Sequence, residues 1–177
     1  GIDKIAQLTQ FSNYPISSEV GLIIVYSLIS SALGLPLSYY STFKIEQAFG
    51  FNKMTLGLFI KDLIKGTLLG LIIGVPLLYL VMWLMNSLGA TWWLWVWGVM
   101  VIFNLLILTI YPTFIAPLFN KFTPLEDLEL KARIETLLSE CGFKSQGVFV
   151  MDGSKRSSHG NAYFTGLGAS KRIVFFD

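Results

Sequence analysis

His159 and Asn161 are the residues of this sequence whose types and spacing could support chemistry. They lie two positions apart, at the end of the polar stretch Ser154 to Gly160 and the start of a more apolar run. An imidazole can transfer a proton near neutral pH, and a carboxamide can donate a hydrogen bond to a developing negative charge. A lone histidine in a polar loop is more often only solvated, and Asn161 could cap a turn, so spacing leaves both interpretations open.

His159 is the only histidine in the chain, and Cys141 is the only cysteine. An H-E-x-x-H zinc helix needs a second histidine, an intrachain disulfide needs a second cysteine, and any Ser/His pairing would have to use His159. We therefore predict no metal ligands in this sequence: either the protein is not an enzyme or part of it is missing. Because the chain starts at Gly1 rather than Met, and its last apolar run ends at Asp177 without a turn, we expect a fragment.

Composition indicates that these residues belong to a membrane protein. Apolar residues make up 54% and charged residues 14% of the chain, whereas about 25% of the residues in soluble domains are charged. This composition excludes disorder and a nucleic-acid module, and the formal net charge of +2 is too small to drive binding to a polyanion. No Asp, Glu, Lys or Arg occurs between Gly66 and Asn120. Since a span needs about 20 apolar residues, we predict spans at 68–85 and 92–110, and a third at 20–37.

Basic residues predict the orientation of these spans. The tail 1–18 is followed by a transmembrane region, 19–120, in which the loop 38–66 carries four lysines, and the region 121–177 is rich in Lys and Arg. The turn between the second and third spans carries no basic residue. Basic segments stay in the cytoplasm, so we expect the loop and the region 121–177 to be cytoplasmic, the turn to be outside and the lipid bilayer to be a partner.

A helix is predicted at the start of the region after the spans. Thr123 could cap it, with Pro124 at the first position and Glu126 completing a capping box. Gly142 would end it. Five apolar residues recur at helical spacing and predict one buried face, with Cys141 as a core thiol: Leu130, Ile134, Leu137, Leu138 and Cys141.

Strands follow this helix. Alternating apolar residues and turn residues predict strands at Val148–Met151, Asn161–Thr165 and Arg172–Phe176, the last two joined by a hairpin loop at 166–171. The glycines of that loop do not match a phosphate-binding motif. The pairs Lys155–Arg156 and Lys171–Arg172 could hold anionic headgroups or a substrate carboxylate, but we favour a solvated face that sets the topology.

Three longer motifs follow one another along the chain. They are Phe43-x-x-Glu46-x-x-Phe49-Gly50-Phe51-Asn52-Lys53-x-Thr55, followed by Asp62 and Lys65, then Ile115-Ala116-Pro117-Leu118-Phe119-Asn120-Lys121-Phe122, and Asp152-Gly153-Ser154-Lys155-Arg156-Ser157-x-His159-x-Asn161-Ala162-Tyr163-Phe164-Thr165-Gly166. These motifs resemble successive signatures of one family, the Ste24-type (CAAX prenyl protease) integral membrane zinc metallopeptidases of family M48. The resemblance covers nearly all of the chain from Pro36 to Asp177, in the order of the family.

The resemblance implies an α-helical integral membrane region of three transmembrane helices, followed by the start of an α+β gluzincin-like metalloprotease domain. It implies zinc as cofactor, with ligands after Asp177, and peptide-bond cleavage in prenylated CAAX or other membrane-associated proteins. The membrane would be the bacterial inner membrane or that of the endoplasmic reticulum. The chain alone would be inactive, and two earlier spans would be missing. The alternative is a non-catalytic membrane scaffold or lipid-binding protein.

The resemblance also assigns roles to individual residues. It implies that the strand from Asn161 to Thr165 pairs with a substrate peptide, with Asn161, Ala162, Tyr163 and Phe164 binding it. His159 and Asn161 would support the reacting carbonyl by hydrogen bonds, without binding the metal. Two positions depart from the family pattern, Lys44 in place of an apolar residue and Gly160 in place of serine. The second leaves the conformation of the loop before the strand open.

Overall fold

The computed structural model describes residues 2–9, 14–143, 145–166 and 171–177. The chain divides into two compact units, one formed by residues up to 46 together with 60–101, and the other by 47–59 together with 102–177. A short helix, α1 (Ile2–Leu8), lies in the first unit and contacts α2 (Pro15–Tyr40). In the same unit the Tyr79 hydroxyl donates to the Ser17 hydroxyl at 3.0 Å.

Within the described residues, three helices are long and apolar enough to cross a membrane, which confirms the predicted number of spans. They cover Pro15–Glu46, Leu56–Ser87 and Gly89–Phe119, and few of their side chains are buried by protein. A helix of 32 residues is about 48 Å long, so it exceeds the bilayer core of about 30 Å. The elements are α2 followed by a π-helical turn (Ser41–Glu46), α3 (Leu56–Ser87), a 3₁₀ turn (Gly89–Thr91), α4 (Trp92–Ile110), a second π-helical turn (Tyr111–Ile115) and α5 (Ala116–Phe119).

The segment 38–66, which we expected as a loop, is helical at both ends. Helix α2 and its π-helical turn extend to Glu46, and α3 begins at Leu56. Lysine and glutamate are good helix formers, so the charged residues that mark the end of an apolar span do not end the helix. Only residues 49–55 lie outside helical structure in this stretch.

The second unit contains a four-stranded sheet among its described residues. Its strands are β1 (Phe122–Pro124), β2 (Val148–Met151), β3 (Ala162–Thr165) and β4 (Arg172–Phe176), in the order β1-β2-β4-β3. Strand β2 is antiparallel to β1 and parallel to β4, while β3 is antiparallel to β4. Val148, Met151 and Val174 are buried and form its core. The prediction of a helix and strands after the spans is confirmed, and β3 lies at an edge of this sheet.

The predicted helix start at Thr123 is wrong. Thr123 pairs with Val150 in β1, and Leu125 N–H continues this pairing with the Val148 carbonyl at 3.0 Å. Helix α6 (Leu128–Glu140) begins after Asp127, whose side chain accepts a hydrogen bond from Leu130 N–H at 2.9 Å. Both Thr123 and Asp127 are good capping residues. The sheet decides between them because it pairs the backbone around Thr123.

The predicted buried face of α6 is also wrong for the described residues. Leu137 is 59% exposed, Leu130 is 43% exposed and Cys141 is exposed, so Cys141 is not a core thiol. Helical spacing shows which residues share a face, but it does not supply the element that covers them. The predicted stop at Gly142 is confirmed: this glycine has φ +65°, and Phe143 N–H donates to the Leu138 carbonyl at 2.8 Å, as in a Schellman motif.

Candidate functional site

The loop between β2 and β3 carries the candidate residues, and Asp152 fixes its start. The Asp152 carboxylate accepts a hydrogen bond from Lys121 N–H at 2.8 Å and pairs with the Lys155 ammonium at 2.7 Å. Asp152 N–H donates in turn to the Lys121 carbonyl at 3.2 Å. The loop therefore leaves the sheet attached to the chain that enters β1.

Lys155 and Arg156 bind the end of the last apolar helix. The Lys155 ammonium donates to the Phe119 carbonyl at 3.0 Å, and the Arg156 guanidinium donates to the same carbonyl at 2.8 Å and to the Asn120 side chain. Cations are favourable at the carbonyl end of a helix because the last carbonyls lack helical donors. Lys155 and Arg156 therefore cap the carbonyl end of this helix. The solvated face that we predicted for this pair is wrong.

Lys171 and Arg172 also contact protein groups. The Lys171 ammonium lies 5.1 Å from the centre of the Phe143 ring, and the Arg172 guanidinium lies 5.2 Å from that of Phe149. Arg172 also donates to the Pro112 carbonyl at 3.0 Å. The expected solvated face is therefore wrong for this pair as well. Residues 167–170 of the predicted hairpin loop lie outside the described residues.

Gly153 and Ser154 hold the loop against the end of β4. Gly153 is buried, and a Cβ atom at this position would lie 2.8 Å from the Phe176 ring. Ser154 donates to the Asp177 carboxylate through its backbone N–H and its hydroxyl, each at 2.8 Å. These hydrogen bonds favour the ionised carboxylate and lower the pKa of Asp177.

His159 is exposed on this loop and contacts two side chains. Its Nδ1 lies 2.6 Å from the Ser157 hydroxyl, and its ring lies 4.1 Å from the Phe51 ring, centre to centre, at an interplanar angle of 33°. The Phe51 contact joins positions more than a hundred residues apart. Sequence reasoning missed both partners, since Phe51 lies in a motif whose contacts are non-local and Ser157 is one of several serines in the loop.

Asn161 ends the loop and begins the edge of the sheet. Its carbonyl accepts a hydrogen bond from Phe176 N–H at 2.9 Å, and its side-chain oxygen accepts one from Ala162 N–H at 2.8 Å. The Asn161 side chain therefore occupies the Ala162 N–H, which is the first backbone donor of β3. This exposed carboxamide lies two positions from His159.

The two faces of β3 differ. Phe164 is 73% exposed and Ala162 is exposed, whereas the Tyr163 side chain is turned inward. The Tyr163 hydroxyl lies 3.8 Å from the Met151 sulfur, and its ring packs edge-on against Phe176. Burial raises the pKa of Tyr163, nearby Tyr111 raises it further, and Arg172 opposes the rise. The exposed face of the strand therefore excludes Tyr163.

The backbone of β3 alternates in the same way. In an antiparallel pair, residues that exchange hydrogen bonds alternate with residues whose N–H and C=O groups point away from the partner. Because Phe176 N–H donates to the Asn161 carbonyl and Tyr163 is opposite Val174, the backbone groups of Tyr163 face β4. Those of Ala162 and Phe164 face the free edge.

No metal site is formed by the residues that the structure describes. Among them, no group of three or more His, Cys, Asp or Glu side chains is arranged to hold a metal ion. Catalytic zinc normally takes three protein ligands. The described side chains therefore do not fit a zinc centre.

Sequence profiles of one protein family match the chain in two consecutive parts. Residues 1–121 match the profile described as CAAX prenyl protease N-terminal, five membrane helices, and residues 124–177 match Peptidase family M48. Together the two matches cover the chain except residues 122 and 123, which lie in β1.

Individual relatives agree with these matches. CAAX prenyl protease 1 of Saccharomyces cerevisiae is 51% identical over 152 residues, which are 85% of this chain and 34% of that protein. The CAAX prenyl protease 1 homolog of Arabidopsis thaliana is 48% identical over 148 residues, which are 84% of this chain and 35% of that protein. The chain therefore spans about a third of the length of these curated relatives.

The fold is also similar to a solved structure. The crystal structure of S. mikatae Ste24p matches 99% of this chain and 42% of its own chain, with a TM-score of 0.89 and 44% sequence identity. Motifs, family profiles, relatives and fold agree, and the chain belongs to the Ste24-type CAAX prenyl proteases of peptidase family M48.

Proposed function

We propose that this chain is part of a membrane-embedded zinc metalloendopeptidase that cleaves prenylated CAAX proteins or other membrane-associated proteins. M48 peptidases are zinc-dependent as a family. Since the described side chains do not fit a zinc centre, we expect the ligands after Asp177, and this chain alone should be inactive.

The edge position of β3 is the observation that carries the proposal. A substrate peptide would add to this edge as a further strand and hydrogen-bond to the outward backbone groups of Ala162 and Phe164. The exposed Phe164 side chain would contact the peptide on one face. Tyr163 would stabilise the strand from within the sheet and would not touch the peptide.

Asn161 and His159 would act next to this peptide. Ala162 N–H is bound to the Asn161 side-chain oxygen at 2.8 Å, so a peptide carbonyl that pairs with Ala162 must displace that oxygen. The displaced carboxamide could then donate its N–H to the reacting carbonyl, as oxyanion donors do in other hydrolases. His159 would provide a second polar contact from the loop.

Orientation and location are part of the same proposal. By the distribution of basic residues, β1 to β4 and α6 would lie in the cytoplasm, and the turn at Gly89 would lie outside. The chain is an integral membrane protein by its helices and its family. The bacterial inner membrane or the endoplasmic reticulum membrane would contain it.

A cleavage assay on the full-length protein tests the proposal. We expect cleavage near the carboxyl terminus of a prenylated CAAX peptide and an H-E-x-x-H motif in the encoded sequence after Asp177. An unprenylated peptide of the same sequence separates prenyl-dependent cleavage from general proteolysis. A full-length protein without that motif and without activity on either peptide would support the non-catalytic scaffold.

Elemental analysis of the 177-residue chain tests where the zinc ligands lie. After dialysis against a mild chelator, we expect less than one equivalent of zinc. One histidine and one cysteine cannot supply three ligands without carboxylates, and the described residues form no such group. A full equivalent would show that this chain has a metal site of its own.

A further inference from the structure

The His159 ring is held by a segment that is distant in sequence. Asn52 forms an antiparallel bridge with Ser157, and Lys53 N–H donates to the Arg156 carbonyl at 3.0 Å. Ser158 N–H donates to the Phe51 carbonyl at 3.0 Å. These bonds align residues 51–53 with the loop that carries His159, and they bring the Phe51 ring against the imidazole.

A turn at Gly50 allows this alignment. Gly50 has φ +76°, a left-handed conformation that side chains other than glycine disfavour, and its carbonyl accepts a hydrogen bond from the Ser158 hydroxyl at 3.2 Å. The conformation of residues 50–53 therefore depends on the turn at Gly50 and on the hydrogen bonds to the loop that carries His159.

The hydrogen bonds of Ser157 favour one tautomer of the His159 ring. His159 N–H donates to the Ser157 oxygen at 3.3 Å, so this oxygen already accepts one hydrogen bond. The hydroxyl has a single proton, and His159 Nδ1, at 2.6 Å, is its only acceptor among the described residues. Donation from the hydroxyl to Nδ1 gives this proton an acceptor, and in that arrangement the neutral ring carries its own proton on Nε2.

We propose that Ser157 and Phe51 are positioning residues that hold neutral His159 as an Nε2–H donor. Such a ring donates a hydrogen bond to an oxygen atom, and it does not act through Nδ1 as a general base. This inference rests on the proposed function for its ligand, which is a carbonyl oxygen of the peptide paired along β3. Ser157 and Phe51 act through His159 and do not touch the peptide.

The single histidine allows a direct test in the 177-residue chain. With isotope-labelled histidine and the chain in lipid nanodiscs, the imidazole ¹⁵N spectrum reports one residue, His159. At a pH where the ring is neutral, we expect an unprotonated Nδ1 and a protonated Nε2. A protonated Nδ1 in the unmodified chain would overturn the proposal.

Substitutions separate positioning from folding. In Ser157→Ala we expect both tautomers to exchange, with the two ¹⁵N resonances moving toward each other, whereas Ser157→Thr keeps the hydroxyl and should restore the original spectrum. Ser154→Ala is the control, because Ser154 bonds Asp177 and not His159. Phe51→Leu should remove the ring-current shift of the imidazole protons, and Phe51→Tyr should retain it. An unchanged spectrum in Ser157→Ala would also overturn the proposal.

Cleavage by the full-length protein tests the role of the donor. Ser157→Ala should lower kcat/KM by about 10-fold or more, the range seen when a partner that orients a site residue is removed, and Ser157→Thr should recover it. If Ser157→Ala cleaves at the parental rate, His159 is not a donor in the reaction, although the protein remains a protease. If the parental protein cleaves no peptide, the proposed function fails, and the tautomer measured in the chain stands as a separate result.

Discussion

The guanidinium of Arg172, on the inner strand β4, donates a hydrogen bond to the main-chain carbonyl of Pro112 at 3.0 Å. This carbonyl lies in the π-helical turn at the end of α4, where Ala116 N–H donates to Tyr111 instead and Pro117 has no N–H to offer. A second donor nitrogen of Arg172 lies 3.2 Å from the Thr113 hydroxyl. Arg172, a residue of the sheet, therefore donates to the Pro112 carbonyl, which lacks a helical donor because Pro117 has no N–H.

We predict that Arg172→Gln destabilises the protein. The substitution removes the two hydrogen bonds of the guanidinium and its contact with the Phe149 ring. A hydrogen bond from a charged group is worth about 1.5–3 kcal/mol, so the free energy of unfolding should fall by at least about that amount. Thermal unfolding in detergent measures the change. Arg133→Gln, on the exposed side of α6, is the control and should have little effect. Equal melting temperatures for the two variants would contradict the prediction.

We predict that Gly153→Ala is destabilising, although alanine is a small residue. The added Cβ would lie 2.8 Å from the Phe176 ring, and overpacking of this kind costs about 1–3 kcal/mol. Gly160→Ala in the same loop is the control, because its Cβ would meet no atom within 4 Å. Phe176→Leu should partly rescue Gly153→Ala in thermal unfolding. Additive losses in the double variant would argue against the clash as the cause.

Proline substitutions in β3 should have opposite effects at neighbouring positions. Phe164→Pro removes a donor that faces the free edge, so the variant should fold and lose peptide cleavage in the full-length protein. Tyr163→Pro removes a donor that faces β4 and should lower the melting temperature. Phe164→Ala controls for the side chain. A folded Phe164→Pro variant with parental activity would show that this edge does not bind substrate.

Asn161→Ala should lower kcat of the full-length protein by about 100-fold, the order found for loss of an oxyanion donor. The melting temperature should change little, because the backbone carbonyl of Asn161 still pairs with Phe176. Asn161→Asp is the matched variant, since it keeps an acceptor for Ala162 N–H but has no N–H of its own to donate. Equal activity in Asn161→Asp and the parental protein would exclude the donor role.

Thiol labelling of single cysteines in intact cells should reveal the topology. In a Cys141→Ala background, a cysteine at Ser87 should react with a membrane-impermeant reagent, and one at Ser154 should react only after permeabilisation. Because Cys141 is exposed, this background should cost little stability. The reverse pattern would place the sheet outside the cytoplasm.

Local patterns in the sequence were enough to predict several features of the fold. The uncharged stretch from Gly66 to Asn120 predicted two membrane helices, because burying charge in a bilayer is costly along any such segment. Gly142 predicted the end of α6, and alternation predicted β2 and the pairing of β3 with β4. Each of these depends on residues that are close in the chain.

Features that join residues distant in the chain became visible only in the folded protein. It paired Thr123 with Val150 where a helix start was expected, and it turned the Tyr163 side chain away from the exposed face of β3. It also brought Phe51 to His159 and Arg172 to Pro112. Local propensity gives a backbone segment several acceptable partners. The choice among them depends on which groups remain without a hydrogen-bond partner once the sheet and the helix ends are assembled.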